Sequence, residues 1–315
     1  PIDPELINDI LRYCRQVVLK TMNSVRGRMR GSDRLLLKKT VEKGAIEKSA
    51  QNLTKAIDRE AEELVIRSVR KKFSKLRTVK RFAIVSEEAG VLTTPEGIDP
   101  RTCEWVVFID PIDGTEFIES LQGGWCLIAV YNRKVGRVVA AVAGDIFLNR
   151  LYWASDAGEA EAIDFVTHSW FRLDGGASPK RTLKGARVNV LTTKVSRFLS
   201  IARQKRLLAA IEKGDGRINL SWGSNLLIQV AAGYADVAVE FTKGFAAYDI
   251  LAGIYIGEKA GLTILDLEGT PLSSRIDLDA VFDAFERDSK NLPRQAFVAA
   301  KNPELARAVI KLLDV

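Results

Sequence analysis

The 315-residue chain holds one histidine, His168, and only three cysteines, Cys14, Cys103 and Cys126. His168 lies in a polar stretch and reads as a surface residue, and its solitude argues against imidazole-activated nucleophiles and histidine-rich zinc sites. The cysteines are far apart, in no metal-ligand spacing, and three is a poor number for a disulfide framework, so a reducing, cytoplasmic setting is expected. Cys126 sits inside an apolar run and reads as core packing. No run approaches the ~18 to 20 apolar residues that span a bilayer, and residues 1–15 lack the apolar centre of a signal peptide, so no membrane association is expected. Lys and Arg outnumber Asp and Glu 47 to 40, with the excess concentrated at 26–39, 67–81, 180–184 and 203–206. A single aromatic, Phe73, falls within these stretches, which is no aromatic interleaving. They read as solvated helix faces that attract small anions such as phosphorylated metabolites, with no dedicated nucleic-acid partner.

What is present is a chain of 47% hydrophobic and 28% charged residues, long enough for one large or two coupled globular units. Ile7, Ile10, Leu11, Cys14, Val17, Val18, Met22 and Val25 recur at helical spacing, predicting an amphipathic helix that Gly27 and Gly31 end. Residues 30–54 have no period and read as a mobile loop; a second helix follows over 56–73. Short apolar runs at 82–86, 104–109, 125–132, 135–144 and 150–154 predict a sheet. Charge, glycine and Pro179 mark a seam between 155 and 184, which divides the chain into subdomains 1–180 and 181–315. Strand-like runs at 186–191, 217–221, 235–240, 262–267 and 296–300 then alternate with helical stretches near 195–213, 224–232, 248–260 and 303–313. That alternation predicts a layered α/β architecture.

The chemistry concentrates in Phe108-Ile109-Asp110-Pro111-Ile112-Asp113-Gly114-Thr115. An apolar strand carries Asp110 to its end, Pro111 breaks it, and a tight turn brings Asp113 back into the same space. Two such carboxylates repel unless a cation shares them, and Mg²⁺ prefers oxygen ligands, including backbone carbonyls such as that of Ile112. Gly114 and Thr115 open a helix whose first amides suit a phosphate. The competing reading is an Asp-Pro turn with a helix cap. Two further acids follow the same logic. Glu87, in Ser86-Glu87-Glu88, ends another apolar run and would stand beside Asp110 if the two strands are neighbours; otherwise the pair is a solvated loop. Asp249 opens a helix of small residues, as a ligand or as an ordinary N-cap.

Together these motifs resemble the inositol monophosphatase superfamily, which includes fructose-1,6-bisphosphatases and 3′-nucleotide phosphatases. The resemblance rests on the acidic pair after a strand, the Asp-Pro-Ile-Asp-Gly-Thr block, and Tyr248-Asp249-Ile250-Leu251-Ala252-Gly253 followed by Glu258-Lys259-Ala260-Gly261, and it spans roughly residues 54 to 267. It implies an αβαβα sandwich: an α/β (α+β) fold in which 1–180 carries the metal-binding and catalytic half and 181–315 completes the site. It implies hydrolysis of inositol-1-phosphate, fructose-1,6-bisphosphate or both, with two or three Mg²⁺. A 3′(2′),5′-bisphosphate nucleotidase and a catalytically inactive scaffold are the alternatives. Carried over residue by residue, the Mg²⁺ ligands are Glu87, Asp110, the Ile112 carbonyl, Asp113 and Asp249. Thr115, hydrogen-bonded to Asp58, orients the attacking water, with Glu87 as the third catalytic residue. Asp113, Gly114, Thr115, Gly223, Ser224, Asn225 and Glu240 are the expected substrate contacts, although Gly223-Ser224 also reads as a plain helix start. Glu240 is separated from Tyr248-Asp249 by a longer gap than in animal members. Tyr248 for the usual Trp, Lys259 for a second acid and Leu262 for the final Gly are departures that remove no ligand. Lys43-Gly44-Ala45 resembles a loop that closes on the third metal. The resemblance further implies a homodimer or homotetramer acting on a small phosphorylated polyol or sugar.

Overall fold

The computed structural model describes residues 2–30, 40–41, 54–119, 123–173, 179–192, 194–288 and 292–314. The expected closing loop around Lys43-Gly44-Ala45 lies outside these residues. Two helices cover one face of the first sheet: α1 (Pro4–Arg30) and α2 (Ala56–Phe73). The apolar positions that predicted α1 are all buried except Leu11, which packs at the margin of the same core. Gly27 does not end α1. A mid-helix glycine costs only about 1 kcal/mol, and beyond it Met29 packs on the core while Arg28 pairs with Glu60 of α2 at 3.1 Å.

Before α2 the two short segments β1 (Thr40–Val41) and β2 (Thr54–Lys55) pair antiparallel. The large sheet then takes β3 (Phe82–Ser86), β4 (Gly90–Thr94), β5 (Trp105–Asp113), β6 (Trp125–Asn132), β7 (Arg137–Asp145), β8 (Arg150–Ser155), β9 (Glu161–Asp164) and β10 (Ser169–Arg172), in the spatial order β10-β9-β8-β7-β6-β5-β3-β4. Pro111 does not break β5. A register shift between Asp110 and Asp113 absorbs it, because a bulge tolerates a residue with no amide hydrogen to give. A short helix, α3 (Thr115–Glu119), follows that bulge.

The second sheet has the order β12-β11-β13-β15-β14, formed by β11 (Arg187–Leu191), β12 (Arg217–Ser221), β13 (Val237–Phe245), β14 (Thr263–Leu265) and β15 (Gln295–Ala300). Between the two sheets lie α6 (Asn225–Ala231) and α7 (Ala247–Lys259), whose residues are buried almost throughout. The outer face of the second sheet carries α4 (Val195–Arg203), α5 (Lys205–Lys213) and α9 (Pro303–Ile310) over a separate core; α8 (Leu278–Asp288) packs beside β4. The layers therefore read αβαβα, as expected. The single helix expected over 195–213 is two, broken at Gln204, whose side-chain amide exchanges hydrogen bonds with the backbone of Asp314.

Candidate active site

The site forms where the ends of strands β3 and β5 meet the buried helix α7. Strands β3 and β5 are parallel neighbours with Ser86 opposite Ile109. The next residue of each, Glu87 and Asp110, therefore emerges at the same edge. The bulge after Asp110 turns Asp113 into that space, and α7 delivers Asp249 from the other side. There the Asp249 carboxylate also accepts the Ala246 amide at 3.1 Å, so it caps α7 and faces the site at once.

These acids feel one another. Burial pushes Asp110 well above the usual carboxylate range, and the charges of Asp113, Asp249, Glu87 and Asp58 push it further. Burial raises Asp113 to about 6, opposed by Lys243 and the Ser224 amide and reinforced by Glu87. Burial raises Asp249 to about 7; Glu87 and Asp113 add to this, and Lys243 and Arg294 oppose it. Among the described residues no three acid, histidine or cysteine side chains form a finished metal cage. The acids converge without closing on a common point. Their chemistry suits hard divalent cations: every donor is oxygen, and mutual repulsion disfavours the charged forms that a cation would favour.

Beside them, the Thr115 hydroxyl donates to Asp58 at 2.9 Å and lies 3.3 Å from the Ile112 carbonyl. Asp58 reaches it from the first turn of α2. Asp113 is fixed from the far half of the chain, where the Ser224 amide donates to it at 3.2 Å. That approach requires glycine at 223, with φ of 52°, since a Cβ there would stand 1.6 Å from the Asp113 carboxylate. Gly114, with φ of 91°, lies under the Trp222 indole, whose nearest atom is 2.5 Å from where a Cβ would stand, and that indole stacks on Phe117 at 3.8 Å.

The remaining expected contacts divide. The Ser224 hydroxyl is buried and donates to the Asp249 carbonyl, binding α6 to α7. Asn225 donates to Ser221 at 3.0 Å, while its buried carbonyl oxygen has no partner. Glu240 is fully buried, and its carboxylate accepts the amides of Thr242, Lys243 and Gly244 at 2.7, 2.6 and 3.1 Å. It thus anchors the irregular stretch of β13 between Glu240 and Phe245. Lys243, an exposed residue of that stretch, is the cation that faces Asp113 and Asp249. Sequence reasoning passed over Lys243, because one lysine in a strand gives no signal. The aromatic lid over Gly114 was equally invisible, since Phe117 and Trp222 are 105 positions apart. His168 is exposed in a turn, and the three cysteines are buried and free. No helix among the described residues is long and apolar enough to cross a membrane.

The model of the Inositol monophosphatase family matches residues 11–314. A Nus factor SuhB from Pasteurella multocida is 32% identical over 229 residues, covering 70% of this chain and 74% of the relative. The Nus factor SuhB of Escherichia coli K12 is 29% identical over 234 residues, covering 71% and 76%. Among solved structures, the extragenic suppressor protein suhB of Bartonella henselae shares the fold with a TM-score of 0.68 at 19% identity, over 97% of this chain and 98% of that one. The IMPase of Thermotoga maritima does so with 0.66 at 19% identity, over 96% of each.

Proposed function

Because this chain belongs to the inositol monophosphatase family, we propose that it is a Mg²⁺-dependent phosphomonoesterase acting on inositol-1-phosphate, fructose-1,6-bisphosphate or both. The observation that carries this reading is the convergence of Glu87, Asp110, Asp113 and Asp249 on one space, with the last three shifted toward neutrality by burial and, each of them, by the charge of Glu87. Those acids and the Ile112 carbonyl would hold two or three Mg²⁺, which supply charge neutralisation for a phosphate dianion and Lewis acidity at the reacting oxygens.

The chain's own groups do the rest. Asp58 holds the Thr115 hydroxyl proton, leaving the Thr115 oxygen lone pairs to accept from an attacking water and aim it in line with the scissile bond. Ser224 and Gly223 fix the Asp113 carboxylate from across the site, so it does not swing away when substrate enters. The bulge ending at Gly114-Thr115 presents backbone amides on the side where the phosphate would sit. Lys243 and Arg294 add positive charge beside the acids, which favours substrates with a second anionic group, fructose-1,6-bisphosphate over inositol-1-phosphate.

A second reading, a binding role without turnover, comes from the Nus-factor name of the relatives. Retention of all four acids and of the Thr115–Asp58 pair favours catalysis. Self-association as a homodimer is part of the proposal. In its support, α4 turns Val195, Phe198 and Leu199 to solvent, and β12 is an edge strand with Ile218 and Leu220 exposed and, among the described residues, no strand on its outer side. A second copy of the same strand about a two-fold axis matches that open edge. Phosphate release from inositol-1-phosphate, fructose-1,6-bisphosphate and adenosine 3′,5′-bisphosphate, with Mg²⁺ and with excess chelator, tests the function. Release from either of the first two that chelator abolishes is expected; no release from any of the three would favour the binding role.

A further inference from the structure

Helix α2 carries a buried acid that the chemistry above leaves unused. Glu62 is 6% exposed and follows Asp58 by four residues, on the same helix face. Its carboxylate accepts the Ser86 hydroxyl, the Ala89 amide at 3.0 Å and the backbone of Glu88. Ser86 is the last residue of β3 and fully buried, and Ala89 is the last residue of the turn that follows. These three contacts bracket Glu87, whose own side chain is exposed. A buried carboxylate is costly unless its lone pairs are filled. All the donors recorded for Glu62 come from one turn, so whatever stabilises Glu62 also fixes that turn.

We infer that Glu62 is a positioning residue for Glu87: by gripping the turn on both sides, it holds the Glu87 carboxylate toward Asp110 and so sets the affinity for divalent cations without touching cation or substrate. The inference rests on reading the four acids as a cation site. It has a structural corollary. One face of α2 reaches Thr115 through Asp58 and the Glu87 turn through Glu62, so a single rigid helix sets the register between the water-orienting pair and the cation ligands. Outer-shell partners of this kind characteristically change metal affinity by about 10- to 100-fold when removed.

The test is Mg²⁺ titration of thermal stability without substrate, in wild type, Glu62→Ala, Glu62→Gln and Ser86→Ala, with turnover measured separately at saturating Mg²⁺. The expected result is a half-saturating Mg²⁺ concentration raised about 10- to 100-fold in Glu62→Ala. Ser86→Ala should show a smaller rise, and Glu62→Gln, which keeps an acceptor oxygen for the Ser86 hydroxyl and the Ala89 amide, should stay near wild type. KM for substrate should not move, and turnover at saturating Mg²⁺ should stay within a few-fold. If Glu62→Ala does not fold, the comparison of Ser86→Ala with Glu62→Gln carries the test. Destabilised variants whose half-saturating Mg²⁺ matches wild type would overturn the inference while leaving the cation site standing. A wild-type protein with no Mg²⁺ response at all would overturn both.

Discussion

At the scale of single residues, the account turns on pairs that act together. If Thr115 aims a water and Asp58 holds Thr115, Thr115→Ala and Asp58→Asn should each lower kcat strongly while leaving KM and Mg²⁺ dependence within a few-fold. The double variant should be little worse than the worse single one. Steady-state kinetics on the three proteins checks this, and losses that simply multiply would refute the coupling. Glu240 gives the opposite expectation. Its carboxylate is occupied with three backbone amides of β13. Glu240→Gln, which keeps an acceptor, should leave KM nearly unchanged, whereas Glu240→Ala should cost about 1 to 3 kcal/mol for each buried donor left without a partner. Thermal melts beside KM measurements separate this from a substrate-contact role, which would raise KM in the Gln variant too.

At the scale of elements, legibility followed burial. The runs at 82–86 and 125–132 and the helix at 56–73 were readable to the residue, because buried apolar stretches of strand or helical period ended at polar turns; 217–221 was equally readable although only its last residue is buried. Gly90–Thr94 and Ser169–Arg172 were missed since neither buries a full face, and Leu278–Asp288 was missed although its apolar residues are helically spaced. Gln204 splits a helix through a bond to Asp314 that no local pattern announces. The site divides in the same way. Strand-end acids are visible because apolar runs point at them, and Asp113 and Asp110 share one octapeptide. The Ser224–Asp113 contact spans 111 residues, so the need for glycine at 223 appears only once the two halves are folded together.

At the scale of the whole molecule, the acid cluster should register in global stability. Unfolded aspartates titrate near 3.9, while the folded values are about 6 for Asp113 and about 7 for Asp249. The folded chain therefore holds protons that the unfolded chain has released. Stability from this source is full below about pH 4 and is lost as pH rises toward 7. In chelator, Tm should fall as pH rises across that window, less steeply in Asp249→Asn, and Mg²⁺ should raise Tm more at the upper end than at the lower. Equal Mg²⁺ shifts at both ends, or an unchanged slope in Asp249→Asn, would speak against a cation-binding cluster. Self-association is checked by sedimentation: Phe198→Glu with Leu220→Lys should convert a dimer to monomers, and an unchanged dimer would assign the interface elsewhere.

The central claim is that Asp113, shared between the bulge of β5 and the cation site, is needed for phosphate-ester hydrolysis and not for folding. Its most direct measurement is kcat of Asp113→Asn on the better of inositol-1-phosphate and fructose-1,6-bisphosphate, at saturating Mg²⁺. The substitution keeps the volume and removes the charge. The account expects an intact fold by circular dichroism and a loss of at least ~10²-fold, comparable to removing one electrostatic contact from a transition state; near-wild-type turnover in a folded Asp113→Asn protein would contradict it.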